Sequence, residues 1–121
     1  MNKTDLEKRT KQFALRIIAF AATLPPNKVG DIITFQLVKA GTSGGANYRE
    51  VNRAESRKDF IHKLAIVQKE LSESQYWLEL CEGAKLGDEG QRRWLLQEAG
   101  ELLAIFTSSA RTAKRKLVNS V

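Results

Sequence analysis

The chain has 121 residues, 42% of them apolar and 28% charged, with 20 Lys and Arg against 14 Asp and Glu for a formal net charge of +6. That balance excludes wholesale disorder and predicts one domain over 1–121 with a real buried core. A lone cysteine, Cys81, excludes an internal disulfide and any multi-cysteine metal site, and a lone histidine, His62, excludes paired-histidine ligation.

The first predicted helix covers about 4–24. Thr4 and Glu7 read as a capping box, and Leu6, Phe13, Ile17, Phe20 and Leu24 recur at the three-and-four spacing of a buried face. Pro25 and Pro26 end it, because the residue before a proline disfavours helical geometry. The apolar run from Ala14 to Leu24 is about half a membrane span and contains Arg16, so a buried helix is expected and a membrane partner is not. The charged N-terminus and single free thiol lead to the expectation of a cytoplasmic protein.

The second helix is predicted over about 28–55. Its seam is Ile33, Leu37, Ala40, Gly44, Asn47, Val51 and Ala54, in steps of four and three. Gly41, Gly44 and Gly45 interrupt it, and each costs about 1 kcal/mol against alanine in a helix interior. They read either as a loop or as a close-packed stretch of helix. The seam keeps its phase through them, which a loop would have no reason to do, so one long helix is expected. Asn47 falls on that seam, where a polar group needs a partner and commonly fixes register.

Ser56 and Asp59 resemble the next capping pair, opening a third helix over about 57–86. Its seam is Phe60, Leu64, Val67, Leu71, Ser74, Leu78 and Cys81, with a stop at Gly83 or Gly87. The fourth helix, about 89–116, follows Asp88 and buries Leu95, Ala99, Leu102, Phe106, Ser109 and Ala113, with fraying expected from Leu117 to Val121. Short connections make neighbours antiparallel, so the expected class is all-α, an up-down-up-down four-helix bundle. A turn centred near Arg57 sets Gly44 against Leu71, which makes the glycine patch a packing hole rather than a phosphate loop.

Several helices carry more apolar residues than one stripe needs. Ile18, Phe35, Val38, Ile66, Trp77, Leu80, Trp94 and Leu103 all lie off the seams. Such a surplus predicts self-association. Nucleophile–base–orienter sets and Glu-x-x-His metal pairs are both missing from the sequence, so neither an enzyme nor a metal or other cofactor is expected. Basic residues are distributed unevenly. Arg49, Arg53 and Arg57 recur every fourth residue, predicting a stripe on one helix face, and Arg111, Lys114, Arg115 and Lys116 cluster at the end of the fourth helix. Antiparallel connectivity places both groups at one pole, a candidate nucleic-acid-binding surface for RNA or DNA phosphate. The alternative is a protein-interaction scaffold whose charge is merely solvated.

Gln36 to Ala40, Ser43 to Glu50, Ala54 to Phe60, Lys63 to Ile66, Lys69, Glu70, Glu73 and Tyr76 to Leu78 stand in an order that resembles the four-helix bundle family associated with intervening sequences of 23S ribosomal RNA genes. That resemblance covers about 13–107 and implies a ring-like homopentamer without enzymatic activity. It extends to the accessory variability determinant proteins of diversity-generating retroelements, which implies nucleic acid and a reverse transcriptase as partners. Gly44, Asn47, Glu50, Glu70 and Glu73 are then family signature positions, read as packing and inter-helix polar contacts. Where this chain has Gly44, the family pattern carries a bulkier residue.

Overall fold

The computed structural model describes residues 1–119, with Ser120 and Val121 outside the described residues. Four helices follow in order: α1 Lys3–Ala21, α2 Lys28–Val51, α3 Arg57–Ala84 and α4 Glu89–Asn119. Consecutive helices pack on each other, α4 closes back on α1, and the backbones of diagonal pairs stay apart among the described residues, so those pairs meet only through core side chains. The result is the antiparallel up-down-up-down bundle that the short connections demand.

Asn2, not Thr4, caps α1, its side chain accepting from the Asp5 N–H at 2.8 Å. Asparagine caps as well as threonine, and starting there adds helical residues before the apolar face begins. Asn27 caps α2 and Ser56 caps α3, each accepting from an N–H three residues on. Asp88 does the same for Gln91 at the start of α4.

The expected ends are less accurate. Helix α1 stops at Ala21, and Thr23 and Leu24 close a tighter turn against Phe20 and Ala21. Helix α2 stops at Val51, four residues early, because Asn52 to Ser56 are needed to turn the chain into the α3 cap. Gly83 lies inside α3, which ends instead at Lys85 in the left-handed region (φ 57°, ψ 46°), followed by Gly87 at φ 78°. Helix α4 runs past the expected stop at Lys116 to Asn119.

The glycine segment is helical throughout. Gly41 makes the closest approach: a Cβ there would lie 2.8 Å from the Ile17 side chain of α1. One on Gly44 would meet Leu71 at an ordinary 3.6 Å, and one on Gly45 would crowd Thr10. The patch therefore brings α1 close to α2 as much as it receives Leu71 from α3. Beyond Gly44 the seam passes through Tyr48 rather than Asn47. Tyr48 is buried and stacks at a tilt on Phe106, ring centroids 4.9 Å apart. Asn47 is half-buried, and its amide donates to the Ser43 carbonyl one turn back.

Polar groups brace the ends and the thin α1–α4 seam. Arg9 of α1 forks onto Glu98 of α4 at 2.6 and 2.8 Å, and Arg16 lies 4.1 Å over the Trp94 ring. Arg92 is only 2% exposed. Its guanidinium donates to Glu82 at 2.6 Å and to the Leu86 and Gly87 carbonyls, which fastens the α3–α4 turn. The Arg92 hydrogen bond also holds the Glu82 carboxyl below the usual carboxylate range.

Candidate nucleic-acid interface

The bundle's topology puts the start of α1, the end of α2, the start of α3 and the end of α4 at one pole. Lys3, Arg57 and Lys116 line a single cleft there of about 550 Å³, together with Ser108, Ser109 and Thr112. The predicted meeting of the α2–α3 turn with the end of α4 is thus present. Its helical premise is not: α2 ends at Val51, so Arg49 sits on α2, Arg53 in the connection, and Arg57 at the first position of α3. The three arginines share an end of the molecule, not a face of one helix.

Arg49 lies 3.8 Å from Glu7, and Arg53 lies 3.9 Å from Glu50. Both pairs are long and solvent-exposed, the kind worth little in water. Arg57, Arg111, Lys114 and Arg115 are exposed and form no ion pair among the described residues. No sequence motif marks Lys3. The signal for it lay in the topology, since an antiparallel bundle starts α1 where α4 ends.

Dividing the bundle across its length exposes a charge asymmetry. The half built from residues 1–12, 40–70 and 105–119 holds 14 Lys and Arg against 6 Asp and Glu. The half built from 13–39 and 71–104 holds 6 against 8. All of the net positive charge therefore resides in one half, where it produces a directed positive field.

The opposite half is apolar on its outside. Leu15 and Ile18 of α1, Val29, Ile32 and Phe35 of α2, and Tyr76 and Leu80 of α3 are exposed, Phe35 at 64%. Val38, Trp77, Trp94 and Leu103 are partly buried and pack against the core of the single bundle, while Ile66 is half-buried outside it. The surplus of apolar residues seen in the sequence is therefore divided between core and surface.

The other candidate positions take quieter roles. Among the described residues Glu50 forms an ion pair only with Arg53, and Glu73 is exposed beside Gln36 and Tyr76. Glu70 is half-buried and has no ion pair among the described residues. Burial, then the neighbouring Glu73 charge, raises its pKa. Among the described residues none of these three side chains forms a hydrogen bond or ion pair with another helix, although the Lys39 charge on α2 acts on Glu70 and Gln36 of α2 lies beside Glu73. Cys81 is fully buried, and burial pushes its thiol up, away from the reactive thiolate. Among the described residues no group of His, Cys, Asp and Glu is gathered to hold a metal, and no helix is long and apolar enough to cross a membrane.

The profile of the 23S rRNA-intervening sequence proteins matches residues 2–108. The chain belongs to that family. A crystal structure of a protein of unknown function from the S23 ribosomal protein family, from Bacteroides thetaiotaomicron VPI-5482, superimposes with a TM-score of 0.81 at 32% identity. The match covers 92% of this chain and 99% of that one. No curated protein matches the chain. Within the 23S rRNA-intervening sequence family fold, the matched region includes most of the core and the Gly41–Gly45 contact and stops before Arg111, Lys114, Arg115 and Lys116.

Proposed function

We propose that the protein is a non-enzymatic, self-associating four-helix bundle that holds RNA or DNA by its phosphate backbone at the basic pole. The observation that carries this reading is the charge asymmetry, 14 basic against 6 acidic residues in one half of the bundle and a slight acidic excess in the other. Four exposed cations without ion pairs, Arg57, Arg111, Lys114 and Arg115, stand ready in that half. Exposed Leu15, Ile32, Phe35 and Leu80 in the other half supply the contact between copies. Assembly about an axis, as a pentamer by family likeness, repeats a weak positive pole and multiplies its affinity. A reverse transcriptase is the protein partner that the same likeness suggests.

The exposed apolar half also favours a second reading, a scaffold that docks a different protein there and leaves its charge solvated. Salt separates the two. Binding of a labelled duplex or structured RNA through six phosphate contacts should weaken by about a thousandfold between about 50 and 200 mM salt. Failure to bind at the lower concentration leaves the scaffold reading.

A further inference from the structure

The cleft at the basic pole has features that a general phosphate-tracking surface does not require. Its volume, about 550 Å³, falls in the range of small-ligand sites. Lys3, Arg57 and Lys116 reach it from three different helices, and none of them has an ion pair among the described residues. Glu55 is the one carboxylate on its wall, which leaves a local surplus of two positive charges. Val51, Phe60 and Ala113 form an apolar side.

The hydroxyls are equally telling. Thr10, Thr42, Ser43 and Ser74 all turn back to donate to a carbonyl of their own helix. Ser108, Ser109 and Thr112, on the stretch of α4 that borders the cleft, form no such bond. Their donors remain available to an acceptor in the cleft. Cations, free hydroxyls and an apolar wall along one open cleft are the complement of a phosphate with an attached base and sugar. A phosphomonoester carries close to two negative charges at neutral pH, matching the local surplus, whereas an internal phosphodiester carries one.

We infer that this cleft binds the terminal phosphomonoester of a nucleotide, free or at the end of a nucleic-acid strand. For the strand end the inference rests on the backbone-binding reading above. Lys116 and Arg57 clasp the phosphate oxygens, Ser109 and Thr112 donate to them, and Phe60 flanks the sugar or base.

The test is fluorescence anisotropy with one short single-stranded oligonucleotide, prepared with a phosphate at either end or with hydroxyls at both, alongside calorimetric titration with AMP and UMP. Lys116→Ala and Arg57→Ala are the site variants, since both side chains are exposed and unpaired; Arg93→Ala in the opposite half is the control. The inference predicts at least tenfold tighter binding of a phosphorylated strand and loss of that difference in both site variants but not in the control. Equal, salt-sensitive binding of all three strands overturns the cleft and leaves the backbone reading standing. Binding of AMP or UMP that both site variants abolish, with no strand bound, upholds the cleft for free nucleotides and removes the backbone reading. If neither strands nor nucleotides bind, both fall.

Discussion

Arg92 can be buried because Glu82 and the carbonyls of Leu86 and Gly87 all accept from its guanidinium. Removing it strands those acceptors at the α3–α4 turn. Arg92→Ala should cost about 3 kcal/mol, read from urea unfolding followed by circular dichroism. The clue was in the sequence: stepping back three from Leu95 on the α4 seam lands on residue 92. A charged residue there reads as solvated until the turn carbonyls are seen to converge on it. Asn47 and Tyr48 show the opposite error. Steps of three and four fit either residue after Gly44, and only the aromatic partner Phe106 on α4 decides between them. Glu70 offers a pH signature. Its raised pKa means the charged form is penalised in the folded chain, so the penalty is present at neutral pH and disappears as pH falls below the ordinary carboxylate range. Glu70→Gln should therefore raise the melting temperature at pH 7, and the gain over wild type should shrink towards pH 4 in a thermal-melt series.

At the scale of the helices, the glycines of α2 separate two effects that a sequence merges. Gly41 is held against Ile17, with no room for a methyl group, whereas Gly44 has ordinary space beside Leu71. Gly41→Ala should destabilise by about 1–3 kcal/mol through overpacking. Gly44→Ala should stabilise by up to about 1 kcal/mol through helix propensity. Chemical denaturation of the two variants checks both signs, and equal effects would mean that the glycines share one role. Four helices, their order and most core positions were legible because seam spacing and capping chemistry are local properties. Helix ends were less so. The stop at Val51 depends on how many residues the chain needs to enter the Ser56 cap, and the stop at Lys85 on a left-handed turn that the chain makes without glycine.

For the whole molecule, the defining property is segregation: positive charge in one half, exposed apolar side chains in the other. The sequence contained both sets of residues but not their separation, which arises only when alternate ends of four helices are gathered at each pole. Exposed Ile32 and Phe35 on α2 make that outer face the expected contact between copies. Light scattering should give a multiple of 13.6 kDa, and the double change Ile32→Asp with Phe35→Asp should reduce it to a monomer without loss of helicity. The most direct test of the account compares two triple variants of equal charge. One replaces Arg111, Lys114 and Arg115 with Ala at the basic pole; the other replaces Lys28, Lys85 and Arg93 with Ala in the opposite half. Anisotropy titrations of duplex DNA and structured RNA at about 50 mM salt should show at least a tenfold loss for the first and little change for the second, with a shallower salt slope only in the first. Equal losses, or no binding by the unmodified protein, would contradict it.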